Sequence, residues 1–331
     1  TDDMVGPSEK LPVVLGTAVP SSNNTNLKTF GWELELMWKD RLNNGLNYSA
    51  RFTLADSRTK ITRYSNPSGL IDGFYAGKYV GEIWGYETIG IAQSDQEMAE
   101  HIGRLINGGQ NNLGQDWKAG DIMYKDLNED GKIDAGSRTL QDHGDLKRIG
   151  NSTPRYNVGL ELAADWKRFD IRMFWQGTLK RDYFQGSYYF WGANGRQGPW
   201  FSTALKGHDD YFRNDETSPL GTNLNSYYPR PLFNTDKNQQ SQTKYLQDAS
   251  YLRLKNLQIG YTIPAQITRK IGISNLRVFF SGENLFTLTG LPEGFDPETI
   301  NTGYGAKDGS NSSGKTYPLS HTFSTGFSVN F

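Results

Sequence analysis

Seven amphipathic strands of about ten residues or more, an apolar face that recurs on each of them, and short turns alternating with long connections predict an all-β fold. The three together predict the wall of a transmembrane antiparallel β-barrel. A tilted strand needs about 9–11 residues to cross a bilayer, and these strands have them. Barrels of the outer membrane carry short turns on one side and long loops on the other, which is the sorting seen here. A soluble antiparallel sheet explains one such strand as well, but not the sorted connections.

Composition narrows the field. The 331 residues carry 35 Lys and Arg against 36 Asp and Glu, so no electrostatic partner such as nucleic acid is indicated. There is no cysteine, which removes disulfides, thiolate metal sites and cysteine nucleophiles. No apolar run approaches the roughly 20 residues of a membrane-spanning helix. That leaves barrels open, because only every second residue of a barrel strand is apolar. Thr1-Asp2-Asp3-Met4 has no signal-peptide character and reads as mid-chain, so a mature product or a fragment is expected.

Residues 1–27 are rich in Pro, Ser and Asn and read as a loop. Strand 28–39 places Phe30, Trp32, Leu34, Leu36 and Trp38 on one face and Glu33, Glu35 and Lys39 on the other. The polar turn 40–45 leads into a partner strand, where Leu46, Tyr48, Ala50, Phe52 and Leu54 alternate with Asn47, Ser49, Arg51 and Thr53. The connection 64–154 holds a short strand pair at about 80–91 and a helix capped by Ser94, with Glu97 completing a capping box. In the third strand Tyr156, Val158, Leu160, Leu162, Ala164 and Trp166 face one way. The turn 167–168 returns the chain through Phe169, Ile171, Met173, Trp175 and Leu179. A second connection covers 185–249. In strand 251–263 the apolar positions shift phase between Leu254 and Leu257, which predicts a bulge near Lys255-Asn256. After the turn 264–274 come strand 276–289, the loop 290–320 and the terminal strand 321–331. There Phe327 and Val329 are expected to face lipid, and Ser328 and Asn330 the lumen. All short turns then fall on the periplasmic side, with Trp38, Trp166 and Phe169 beside them as an aromatic girdle. Seven strands leave unpaired edges, so strands from elsewhere must close the wall.

Several stretches resemble SusC/RagA-type TonB-dependent transporters. They are Leu27-Lys28-Thr29-Phe30-Gly31-Trp32-Glu33-Leu34, Gly85-Tyr86-Glu87-Thr88-Ile89-Gly90-Ile91 and Gly120-Asp121-Ile122-Met123-Tyr124-Lys125-Asp126, then Ser250-Tyr251-Leu252-Arg253-Leu254-Lys255-Asn256 and Leu276-Arg277-Val278-Phe279-Phe280-Ser281-Gly282-Glu283-Asn284-Leu285-Phe286. The resemblance covers most of the chain and thins over about 185–245. It implies a 22-stranded outer-membrane barrel, of which 1–331 is the C-terminal part, with 64–154 and 185–249 as extracellular loops. It also implies an N-terminal plug, a SusD-like surface lipoprotein, energy from TonB with ExbB and ExbD, and import of oligosaccharides or peptides. A siderophore or vitamin receptor of the same barrel class and a secreted β-sandwich carbohydrate-binding protein are the alternatives. By the same resemblance Phe331 belongs to the signal read by the insertion machinery.

Chemistry is concentrated in one loop. Asp126, Asn128, Asp130 and Asp134, with Gly131 at the sharp turn, fit the oxygen-ligand spacing of a calcium loop, and Lys132 offers its carbonyl. Ser137 stands where a bidentate acid is usual, and a metal-free Asx-rich turn is the alternative reading. Tyr188, Tyr189, Trp191 and Trp200 are candidates for stacking on a substrate, against the alternative that they pack the loop. Arg51, Arg155 and Arg172 are expected to pair across strands with Glu33, Glu35, Glu161 and Asp170. Four scattered histidines and the lack of any nucleophile motif argue against an enzyme.

Overall fold

The structure, a computed structural model, describes residues 4–7, 21–192, 204–233, 235–300 and 317–331. In chain order the strands are β1 (Met4–Pro7), β2 (Ser21–Arg41), β3 (Asn47–Arg63), β4 (Glu82–Gly85), β5 (Thr88–Ile91), β6 (Ile122–Tyr124), β7 (Lys147–Asn151), β8 (Arg155–Trp166), β9 (Phe169–Lys180), β10 (Asp182–Phe184), β11 (Leu246–Asp248), β12 (Tyr251–Thr262), β13 (Asn275–Thr289) and β14 (Thr322–Asn330). Eight of them form one sheet in the order β1-β2-β3-β8-β9-β12-β13-β14, every pair antiparallel. Among the described residues β14 pairs with β13 alone, so the sheet does not close on itself.

Register explains the two faces. Trp38, Ala50, Leu162, Met173, Leu257, Gly282 and Phe323 are consecutive cross-strand partners in one row. The row one residue over reads Met37, Arg51, Glu161, Phe174, Asn256, Glu283 and Thr322. Because side chains alternate, one face of the sheet is apolar and the other polar across these seven strands. The apolar face is bare: Trp38 is 61 % exposed and Phe327 75 %. A soluble sandwich would bury that face in a second sheet; here it is uncovered among the described residues.

The bulge lies where the phase shift puts it. Between β12 and β9 the register slips from Leu254–Trp175 to Asn256–Phe174, leaving Lys255 as the extra residue. β13 slips in turn against β12 between Glu283 and Phe286, and Asn284 takes φ 55° there. The slip keeps Leu254 and Leu257 on the same face, which one extra residue requires.

Two expectations need correction. Residues 1–27 are not all loop: β2 starts at Ser21, and β1 adds an eighth strand against it. The two short strands near 80–91 do not pair with each other. β4 pairs with β7 and β5 with β6, partners 30 or more residues away that local pattern cannot name. The β3 strand runs to Arg63, up to the start of the connection expected at 64, because β2 continues beside it. The helix α1 (Asp95–Arg104) forms as expected, with Ser94 Oγ accepting from Glu97 N at 3.1 Å.

Candidate functional site

The connections 64–154 and 185–249 do not hang separately from the sheet. They share a core in which Ile71, Tyr86, Ile122, Tyr124 and Ile133 from the first pack with Phe190, Trp191 and Tyr245 from the second. The sequence supplies this core through aromatics spaced without period, which is why no strand or helix pattern reveals it. A buried ionic clasp joins the same two segments. Asp121, fully buried, accepts from Arg230 Nε at 2.7 Å, Arg230 Nη2 at 2.8 Å, Asn238 Nδ2 at 2.8 Å and Lys118 N at 2.9 Å. Lys237 Nζ completes the set at 2.8 Å. Burial pushes the Asp121 carboxyl up, but the bonds from Arg230, Lys237 and Asn238 outweigh it and leave it below the usual range.

The 126–134 loop forms a tight turn closed by side-chain to backbone hydrogen bonds. Gly131 N donates to Asp126 Oδ2 at 2.8 Å, Asp130 N to Asn128 Oδ1 at 3.2 Å and Lys132 N to Asp130 Oδ1 at 3.1 Å. Gly131 has φ 79°, a conformation that suits glycine. Asp126 Oδ1 is buried and accepts from no group in the protein. Asp134 instead faces Lys132, whose Nζ lies 2.6 Å from Oδ2. Among the described residues no three His, Asp or Glu side chains converge to grip an ion as they stand. Asp145, a residue the sequence reading passed over, sits fully buried behind the loop. It accepts from Leu127 N at 2.7 Å and Asp134 N at 2.9 Å. Burial holds its carboxyl above the usual range. Asp145 lies 11 residues beyond the motif, outside any local spacing.

Of the aromatic candidates, Trp191 is buried, 4.7 Å from the Tyr245 ring, and its Nε1 donates to Gln185 O at 3.0 Å. Tyr189 is half-buried, and its carbonyl faces His208 Nε2 at 2.9 Å. The Tyr188 side chain and Trp200 lie outside the described residues. A cavity of about 310 Å³ opens beside Trp191.

On the polar face of the sheet a hollow of about 680 Å³ spans β2, β3, β8 and β9, lined by Glu33, Glu35, Arg51, Glu161, Phe174 and Gln176 among others. Arg51 pairs with Glu35 at 2.9 Å and Glu161 at 3.8 Å, as expected. Arg155 pairs with Asp56 instead, and Asp170 takes Arg277 from two strands away at 2.5 Å. That reach crosses Gly260, where a Cβ would stand 2.3 Å from Asp170 Oδ2. At the bulge Arg253, nearly buried, binds Asp296 at 2.9 Å and Glu298 at 2.7 Å, tying the segment after β13 to the same face.

No family model matches the chain. Along its whole length it is 27 % identical to TonB-dependent receptor P3 of Formosa agariphila and 20 % identical to TonB-dependent receptor P39 of the same organism. Its fold matches a chain of the RagAB peptide transporter at a TM-score of 0.65, with 20 % identity and all of this chain covered. The RagAB peptide importer in its "closed-closed" state matches at 0.62. The homologues of this chain are therefore TonB-dependent receptors, a class of outer-membrane nutrient transporters. The chain spans about a third of their length, 31 % of P3 and 32 % of the RagAB chain.

Proposed function

We propose that this chain is part of the wall, the C-terminal part, of a TonB-dependent outer-membrane transporter that imports oligomeric nutrients, oligosaccharides or peptides. The observation that carries the reading is the bare apolar face running across seven strands of the sheet, β2 to β14, backed by a charged, hollowed face. Lipid covers the first and water the second. The remaining strands of a 22-stranded barrel and the plug come from the rest of the receptor, since open strand edges in hydrocarbon leave backbone groups unpaired. The module built from 64–154 and 185–249 lies outside the cell, where a SusD-like lipoprotein closes over it, and TonB acts through the plug. Deleting the gene for the whole receptor and growing the strain on single glycans or peptides tests this. Loss of growth on one oligomer, with monomer growth intact, is expected. Unchanged growth on every oligomer, or recovery of the receptor in the soluble fraction, contradicts it.

The 126–134 loop, in this reading, holds calcium through Asp126, Asn128, Asp130 and Asp134, with the Lys132 carbonyl. Support comes from the buried, unpartnered Asp126 Oδ1 and from the Gly131 N–H already set on Asp126. Lys132 Nζ must leave Asp134 for the ion to bind. Calcium should raise the thermal midpoint of the whole receptor, and Asp126→Asn should abolish that shift. A midpoint indifferent to calcium and chelator rejects the site.

A further inference from the structure

The apolar stripe on β2 ends in a cation. Leu36, Leu34, Trp32 and Phe30 follow one another along the bare face, and Lys28 is the next residue in that row. Two residues of strand rise about 6.6 Å, so Lys28 stands at the edge of the apolar band, just past Phe30 and Trp32. Trp38 marks the opposite edge, beside the short turn 40–45. The Lys28 edge is therefore the one toward the long connections, and in the membrane-wall reading, on which this inference rests, it lies in the outer leaflet.

Register adds two more cations to the same face. Lys60 on β3 is the direct cross-strand partner of Lys28, and Arg58 is the partner of Phe30. Tyr79 bridges to Lys60 on the far side of β3. Its ring lies 5.7 Å from Lys60 Nζ and 5.8 Å from the Arg58 guanidinium and so steadies both. The opposite face of this stretch is closed, with Ile61 and Lys78 buried. Lys28 and Arg58 are exposed and Lys60 is half-buried.

These cations lack counter-charges. Residues 21–32 and 57–63 contain no Asp or Glu. Asp56 is held by Arg155, and Glu82 accepts from Tyr75 Oη at 2.7 Å and from Tyr79 N at 3.0 Å. Among the described residues none of Lys28, Arg58 and Lys60 forms an ion pair with a carboxylate. Like charges directly opposite each other destabilise a sheet, and Lys28 and Lys60 are such a pair. An anion placed between them turns that repulsion into attraction, and phosphate oxygens suit both ammonium and guanidinium donors. The neighbouring Phe30 and Trp32 are apolar and exposed, so the same ligand must also carry hydrocarbon. We propose that Lys28, Arg58 and Lys60 bind the phosphates of a diphosphorylated glycolipid in the outer leaflet, whose acyl chains lie along Phe30 and Trp32.

Binding of diphosphoryl and of monophosphoryl lipid A to the whole receptor in detergent, measured by native mass spectrometry, tests this. Each cation beside anionic headgroups contributes about fivefold in affinity. Replacing all three, Lys28→Gln with Arg58→Gln and Lys60→Gln, should therefore weaken diphosphoryl lipid A about a hundredfold and abolish its advantage over the monophosphoryl form. Arg172→Gln, which removes an exposed cation from the polar face, should leave binding unchanged. Lys60→Gln alone separates binding from folding. Without lipid it relieves the repulsion from Lys28, so the thermal midpoint should hold or rise, while the rise produced by diphosphoryl lipid A should shrink. Unchanged binding in the triple variant, equal affinity of the unaltered receptor for the two lipids, or a loss with Arg172→Gln as large as with the triple variant would overturn the proposal. Failure of the wall reading itself would appear separately, as recovery of the receptor in the soluble fraction.

Discussion

Asp121 shows how one residue holds two distant segments together. Its carboxylate gathers Arg230, Lys237 and Asn238 from the second connection while sitting in the first. Asp121→Asn leaves two cations buried without a counter-charge, which costs about 3–5 kcal/mol. Faster proteolysis within 204–250 of the folded receptor would register the loss; an unchanged cleavage rate would contradict the clasp. The pH dependence has a definite sign. The carboxyl lies lower folded than unfolded, so its stabilisation is present above the unfolded value, about 3.9, and disappears as pH falls through the folded one. Asp145 runs the other way. Raised by burial, it favours folding below its unfolded value and opposes folding as pH rises through its folded one. A calcium ion beside it would relieve that opposition, so stabilisation by calcium should be larger at pH 7 than at pH 4. Gly260 makes a third case, since Arg277 reaches Asp170 only over a bare Cα. Gly260→Val should break the pair and lower the receptor's thermal midpoint, whereas Gly272→Ala in the nearby turn, with open space around its Cα and φ 75°, should cost no more than the strain of that φ, about 1 kcal/mol.

Elements were legible in proportion to their length and to how regularly they alternate. The strands β2, β8, β9, β13 and β14 each carry enough alternating residues for the period to be counted, and the phase slip at Lys255 was visible for the same reason. The short strands β4 to β7 hold three to five residues, too few for a period, and their pairing depends on partners far along the chain. The candidate site divides the same way. The 126–134 turn could be read from a fixed local spacing, whereas Asp145, the Asp121 clasp and the cavity walls are assembled from separate segments. Trp191 could not be sorted between stacking on a ligand and packing a core by its sequence neighbours; the shared aromatic cluster is what buries it. For β14 the face assignment makes a direct prediction. Phe327→Arg puts a charge into lipid at about 2–4 kcal/mol if near mid-bilayer and less near the interface, while Ser328→Arg on the polar face costs little. Urea unfolding of the receptor in vesicles compares them, and equal effects would contradict the assignment. Phe331→Ala should lower the amount of receptor assembled in the outer membrane, read by heat-modifiable mobility; normal assembly would remove Phe331 from any insertion signal.

At the scale of the whole molecule, one sheet with two unlike faces supports a module made from its two longest connections. The exposed apolar face would be an aggregation hazard in water and is the natural surface of a barrel in lipid. The chain has no cysteine of its own, so once any elsewhere in the receptor are replaced, single cysteines can be placed along it and labelled one at a time. The most direct test labels positions 278, 279, 280 and 281 on β13 and 326, 327, 328 and 329 on β14 with a nitroxide in the whole receptor in vesicles. Accessibility to lipid-dissolved oxygen and to a water-soluble nickel chelate is then measured at each. Oxygen should dominate at 278, 280, 327 and 329 and the chelate at 279, 281, 326 and 328, alternating with period two. Two faces with the same accessibility, or apolar positions shielded from both reagents, would mean that protein rather than lipid covers the sheet, and the transporter-wall account would fail.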